Sequence, residues 1–550
     1  MTMKRVLFAF VAFLLSAASG NACTNFLVGK KASADGSVFI SYSADSYGMS
    51  GFVAHFPAAY HPEGTMRDIY EWDSGKYLGQ IPEARRTYNV LGNINEYQVA
   101  IAETTFGGRD ELVDTAGIMD YGSMIYIALQ RSRTAREAID VMTSLVAEYG
   151  YCSSGESFSI ADPDEAWILE MVGKAGKEKG AVWVAVRIPD DCISAHANQA
   201  RIRKFDMNDK ENVRYSADVV EFARKMGYYN GSDKDFDFAA AYCPADFGGL
   251  RYCDARVWSF FNMFGAEDMT KYLPWAQGDP TAEPMPLYMK PKAPVSLQDM
   301  QRGMRDHYEG TPFDVTTDLG AGPFNMPYRP SPLSFKVDGK EYFNERPIST
   351  FQTAFTFVAQ LRSWLPDAVG GVMWFGADDA NMVVFTPVYC CATIVPDCYK
   401  ECYADPLEFS WKSSFWVFNW VSNMIYPKYS MVIDDMRALQ NSLESSIYEQ
   451  SKAIEQEALA VIGTSPKYAV EILTDFTCNS AENTLAAWQK FGEKVIVKYN
   501  DFVIKSEKNG KLDRGKTGLG GKIVRPSYPA EYWKQVVEQT GDKYLMPVSK

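Results

Sequence analysis

Apolar and polar positions alternate in short runs through the first half of the chain, and the runs come in pairs separated by polar turns. CTNFLVGKK and VFISYSAD flank ASADGS, whose Asp35 and Gly36 predict the turn of an antiparallel hairpin. The pattern recurs in LGNINEYQVAIAETTF, with a polar break at Asn93 to Glu96, and in ESFSIADPDEAWILEMVG, where Asp162 to Glu165 supplies the turn. AVWVAVRIP adds a further strand. Between these hairpins the period changes: over Thr134 to Gly150, Ile139, Met142 and Val146 share one helical face, and Thr134 with Glu137 forms a capping-box start. Strands come in runs and helices stand apart. This predicts a layered α+β fold with an antiparallel sheet core, because parallel strands would need a helix after nearly every one. The last third turns helical. Leu439, Leu443 and Ile447 fall at i, i+4 and i+8, and Asn479 with Glu482 marks another capped start before TLAAWQKFGEKVIVKY. That region reads as a packing layer and is assigned no chemistry.

The N-terminus departs from the pattern. Lys4 and Arg5 precede an uncharged, mostly apolar run from Val6 to Ala18, too short for a comfortable membrane span, and Ser19, Gly20, Asn21 and Ala22 suit a cleavage site. Residues 1–22 therefore read as an export leader whose removal leaves Cys23 first, in a periplasmic or extracellular protein. No later apolar run approaches the length needed to cross a bilayer. The net charge of -14, more negative still without Lys4 and Arg5, argues against nucleic acid or anionic lipid as partner, since either demands a basic surface. With 550 residues, 47% of them hydrophobic, and no linker, low-complexity block or fixed repeat, the chain reads as one large unit with elaborations.

Most familiar hydrolytic motifs are missing. The four histidines, His55, His61, His196 and His307, form no HExxH or other paired metal-ligand spacing, and no GxSxG elbow occurs. GKTGLGGK at Gly515 lacks the Ser or Thr after its final lysine, where Ile523 stands, and reads as a surface turn. Ten cysteines in an exported chain raise the question of disulfides, with Cys243 and Cys253, and Cys390, Cys391, Cys398 and Cys402, as local candidates. For the latter group disulfides or buried thiols are favoured over zinc, because Cys390 and Cys391 are adjacent and no histidine is near.

Cys23 needs no histidine. An α-amine titrates near ~7.7–8.0 and a thiol near ~8.5, so the freed amine of Cys23 can take its own thiol proton. The thiolate would attack an amide carbonyl and the ammonium would return its proton to the leaving nitrogen. The alternative for an exported cysteine here is acylation, as in a lipid-anchored binding protein. SGNAC is a poor match to a lipidation site, and TNFLV enters a strand at once where a tether would be expected.

CTNFLVGKKASADGS, SYSADS, NEYQVAIAET, SFSIADPDEAWILEM, RIPDDCISAHANQARI, ARVWSFFN, RDHYEGTPFD and WVFNWVSN occur in this order. Together they resemble the C69 family of cysteine dipeptidases, within the N-terminal-nucleophile hydrolases beside penicillin V acylase and bile salt hydrolase. The resemblance implies a four-layer αββα sandwich, which with the leader read over 1–22 and the helical last third predicts a catalytic domain over 23–425 and a mainly helical extension over 426–550 that adds C-terminal helices to the core. It implies hydrolysis of dipeptides without metal or organic cofactor. Cys23 matches the nucleophile, Asp45 the acid that holds its amino group or orients substrate, and Asn198 an oxyanion donor. Asn95 lies in the block of the second oxyanion donor, and Arg256 matches a basic residue near the thiol. Many relatives carry Arg three residues before the aspartate; here Tyr42 stands there, which bears on substrate binding. The expected partner is a dipeptide or other small amide, with a homo-oligomer left open. An N-acyl amide hydrolase and an acylated, non-catalytic Cys23 remain the alternatives.

Overall fold

The computed structural model describes residues 23–176, 178–330, 333–514 and 520–547. The leader read over 1–22 and most of the turn at Gly515 lie outside the described residues. The fold is mixed α+β, with two large antiparallel sheets and long C-terminal helices. The first sheet has seven strands in the order Tyr288–Met289, Ile193–His196, Asn25–Val28, Val38–Asp45, Thr353–Leu361, Val372–Ala377, Thr386–Tyr389. The second has eight: Val213–Tyr215, Ala181–Ile188, Ala166–Gly173, Gly155–Ala161, Ala100–Gly107, Ile94–Asn95, Val90–Leu91, His55–Phe56.

The hairpins predicted from alternation are present. Leu27 pairs with Ile40 across the turn at Asp35 and Gly36, where Gly36 has φ +90°. Ala161 pairs with Ala166 across Asp162 to Glu165. Asp162 accepts from Asp164 N at 2.8 Å and Glu165 N at 3.0 Å, and also from Ala135 N at 2.8 Å, tying the turn back to the start of the helix Ala135–Tyr149. The polar break at Asn93 to Glu96 is more compact than expected. Gly92 and Asn93 turn one tiny hairpin, Leu91 against Ile94, and a second turn follows from Asn95 to Val99.

Helix α1 (Tyr121–Arg131) and helix α2 (Ala135–Tyr149) follow, the latter capped as predicted by the Thr134 side chain accepting from Glu137 N at 3.2 Å. Period two sorts the buried residues of the second sheet. Ile168 and Val172 join first-sheet residues such as Phe26 and Ile40 in one core, while Trp167, Leu169 and Met171 join Ile127, Ile139 and Met142 of the helices in another. Helix α3 (Ala255–Phe264) sets Phe260 on Phe26 with ring centroids 4.0 Å apart.

Helix α4 (Ser414–Ile425), helix α5 (Tyr429–Ile462) and helix α6 (Pro466–Tyr499) complete the chain's large core. Phe418 of α4 stacks on Trp488 of α6 at 4.8 Å. Leu439, Leu443 and Ile447 of α5 pack inward as read, and Glu455 of α5 accepts from Arg362 at 2.7 Å and 2.9 Å. The start read at Asn479 and Glu482 is corrected: both lie inside α6, which begins at Pro466 because Ala469, Leu473 and Phe476 carry its apolar stripe another three turns back. No helix among the described residues is long and apolar enough to cross a membrane.

Candidate active site

Cys23 stands two residues before the strand Asn25–Val28 and is only 6% exposed. Its Sγ lies 3.6 Å from Glu103 Oε1 and 3.7 Å from the Tyr42 hydroxyl. Burial, and then the charges of Glu103 and Asp45, push the thiol well above its ordinary pKa. A thiol so placed keeps its proton until a base removes it.

Arg256, near the start of α3, follows a π-helical turn over Gly249–Asp254 and is fully buried. It meets Cys23 at the backbone and not at sulfur. Nη1 donates to Cys23 O at 2.6 Å and Thr24 Oγ1 at 2.7 Å, Nη2 to Asn198 Oδ1 at 2.9 Å, and Nε to Tyr252 O at 2.8 Å. The guanidinium thus fixes the residue that carries the thiol. Asn198, with φ +52°, donates from Nδ2 to Thr105 O at 2.7 Å, so one amide joins Arg256 to the second sheet.

Asp45 ends the strand Val38–Asp45 and is 1% exposed. Burial raises its pKa against the opposing pull of Arg346. Arg346 Nη2 donates to Oδ2 at 2.6 Å, Ser43 Oγ to the same oxygen at 3.2 Å, and Thr353 Oγ1 to Oδ1 at 2.6 Å. Arg346 and Thr353 were not read from sequence. Arg346 lies in a loop more than 300 positions downstream, and no local motif announces it.

Glu103 was also not singled out, although it belongs to the block NEYQVAIAET. Its one available signal is a charge amid the apolar run of a strand. It is 3% exposed, accepts the Tyr42 hydroxyl in a short hydrogen bond, and faces Glu156, itself 1% exposed. Burial raises both carboxyls, Glu156 the more, because the charge of Glu103 adds to it. Burial and its charged neighbours raise the Tyr42 hydroxyl too, which keeps it a donor.

Asn95 is not brought into the site. Its Nδ2 donates to Leu129 O at 2.7 Å and Ser132 O at 2.8 Å, and its Oδ1 accepts from Tyr97 N and Val99 N at 3.0 Å. Both amide hydrogens are spent on shaping a turn, which leaves none for an oxyanion. Asn93, two residues earlier, does line the cavity and gives one amide hydrogen to Ile101 O at 2.9 Å.

The cavity at Cys23 is walled on one side by Tyr42, Asp45, Phe355 and Phe375 of the first sheet. On the other stand Glu103 and Thr105 of the second sheet with Tyr121, Ile125 and Tyr126 of α1; Phe52 and Trp72 complete it. Asp45 and Glu103 are its charged lining residues; among the described residues no Lys, Arg or His lines it. His196 is buried beneath, bonded to Thr104 Oγ1 and Ser159 Oγ at 2.7 Å each, and burial lowers it to about 3, so it is neutral. A larger cavity between the helix Leu297–Met304 and α5 contains none of these residues, and its Arg305 is paired with Glu444. All ten cysteines are free thiols, so the disulfides considered from sequence at Cys243 and Cys253 and in the Cys390 to Cys402 group are not formed. Among the described residues no three His, Cys, Asp or Glu side chains gather into a metal site.

The model of peptidase family C69 matches residues 22–442. A protein named "Probable dipeptidase" from Latilactobacillus sakei is 27% identical over 468 residues, covering 80% of this chain and 89% of that one. Its namesake from Salmonella dublin is 28% identical over 411 residues, covering 70% and 85%. "Probable dipeptidase B" of Streptococcus pyogenes serotype M1 is 25% identical over 520 residues, covering 89% and 96%. With more than half of its length matched, from the residue before Cys23 to the first turns of α5, the chain belongs to peptidase family C69.

Proposed function

We propose that this C69 peptidase is an exported dipeptidase that works through Cys23 as an N-terminal nucleophile, exposed when residues 1–22 are removed. One observation carries the reading: the Cys23 thiol lines a cavity that, among the described residues, no histidine lines, so the thiol has no imidazole partner there. The freed α-amine of the same residue is then the base. It takes the thiol proton, and sulfur attacks the peptide carbonyl carbon. The developing oxyanion is met by the amide hydrogens of Asn198 and Asn93 not already given to Thr105 O and Ile101 O. The carbon–nitrogen bond breaks as the ammonium returns its proton to the leaving amine. Water then cleaves the thioester, releasing the acid and restoring the thiol. In this reading Arg256 is a positioning residue and Asp45, locked to Arg346, shapes the wall behind the thiol. The two sheets, sharing one core and flanked by helices, support a four-layer αββα arrangement with α5 and α6 as its extension.

Intact mass of the mature protein and a dipeptide panel with Cys23→Ser and Cys23→Ala test the mechanism. We expect a chain beginning at Cys23 with a free amine, and loss of hydrolysis by about a thousand-fold or more in both variants with the fold retained. A lipid adduct on Cys23, a retained leader in the active protein, or a fully active Cys23→Ala would overturn it.

A further inference from the structure

Among the described residues, the cavity is lined by two carboxylates and no cationic side chain. Asp45 is already neutralised, with Arg346 and Ser43 on one oxygen and Thr353 on the other. Glu103 is not. Its Oε1 takes the Tyr42 hydroxyl and the thiol, its Oε2 has no hydrogen-bond partner among the described residues, and the neighbouring acid is Glu156. A buried carboxylate facing an apolar cavity is costly until a cation arrives, so the site is built to receive one.

The geometry fits the amino end of a peptide. At attack, the carbonyl carbon comes within about 3–3.5 Å of sulfur. The α-nitrogen of the same residue lies about 2.5 Å from that carbon. Since Glu103 Oε1 is 3.6 Å from Sγ, an α-ammonium can bond to it while its own carbonyl meets the thiol. The side chain of that residue would lie against Phe52, Trp72, Phe355 and Phe375. Among the described residues no lining side chain offers a counter-charge to a carboxylate.

We infer that Glu103 anchors the free α-ammonium of the substrate, so that the enzyme selects peptides by a free amino end and an apolar first residue and tolerates a blocked carboxyl end. This rests on the dipeptidase reading above and adds which end of the dipeptide is recognised. It also weighs against N-acyl amides, whose acyl group would bury Glu103 without a partner.

The test uses the mature full chain and Glu103→Gln with Leu-Ala, Leu-Ala amide and N-acetyl-Leu-Ala, and the rate at which iodoacetamide alkylates Cys23. Wild type should cleave the first two with kcat/KM within about tenfold of each other and N-acetyl-Leu-Ala roughly a hundred-fold less well. Glu103→Gln should raise KM for Leu-Ala by roughly ten- to a hundred-fold, with a smaller change in kcat and an alkylation rate within about twofold of wild type. Equal cleavage of the acetylated peptide would overturn the anchor. So would a fall in kcat at unchanged KM, which marks Glu103 as a base, or altered alkylation, which marks it as serving the amine of Cys23. Should Glu103→Gln fail to fold, the wild-type comparison decides alone. Cleavage of none of the three peptides would fell the dipeptidase reading and the anchor together, whereas cleavage of all three at similar kcat/KM fells the anchor only.

Discussion

On the first-sheet wall of the cavity, Asp45 is buried against Arg346, Ser43 and Thr353, and each of its oxygens has a donor. On the second-sheet wall, Glu103 is buried as deeply but faces Glu156, a second carboxyl, and a tyrosine hydroxyl. The two acids flank one thiol and differ in what neutralises them. The first is complete within the chain and stabilises it; the second is incomplete until substrate comes. Burial alone therefore does not separate structural from functional carboxylates. The partner does.

Removing the partner from the first wall should do the most damage. Arg346→Leu takes the cation from buried Asp45 and leaves it only the hydroxyls of Ser43 and Thr353, and a loss of about 3–5 kcal/mol is expected in denaturant unfolding. Glu103→Gln should cost far less, because it removes a charge that has no cation; if the two variants lost equal stability, the contrast between the walls would be false. The second sheet offers a check through pH. Glu170, bonded to Arg201 N and Ile202 N but fully buried, is raised from an ordinary 4.5 to about 7 by desolvation. A raised carboxyl stabilises the fold fully below its unfolded pKa and loses that contribution as pH rises through its folded one. Thermal stability should thus fall between pH 5 and 8 by up to about 3 kcal/mol from this group, and Glu170→Gln should flatten that slope. The mildest change is Tyr42→Arg, which gives Glu103 a permanent cation beside the thiol. It should raise KM for free dipeptides by about tenfold with little change in stability; an unchanged KM would mean that Glu103 is not where the amine binds.

Much of this was legible along the chain. Cys23, Tyr42 and Asp45 fall within one hairpin, so local alternation and a single turn place them together. The capped start at Thr134 was legible for the same reason: cap and helix are neighbours in sequence. Arg346 was not, because it reaches Asp45 from a loop whose own residues carry no pattern. Glu103 could have been seen as a charge in an apolar strand, but its meaning depends on Glu156 from the neighbouring strand, which only the register supplies. Asn95 and Asn93 are two letters apart in one block, and choosing between them required knowing which amide the turn consumes. Asn479 with Glu482 imitated a cap inside a longer helix, where the apolar stripe running back to Ala469 outweighs a local capping signal.

Asn198 is held by Arg256 through its oxygen and holds the Thr105 carbonyl through its nitrogen. It acts as a strut of fixed length between the helix that grips Cys23 and the strand that bears Glu103. The gap between sulfur and carboxylate is then set by a third residue that lies in neither group. Shortening that strut would leave the thiol and the carboxylate in the molecule and still detune their spacing, beyond the loss of one oxyanion donor, since a misplacement of about 1 Å can cost a hundred-fold in rate. The tolerance of this site to change is a question of spacing as much as of chemistry.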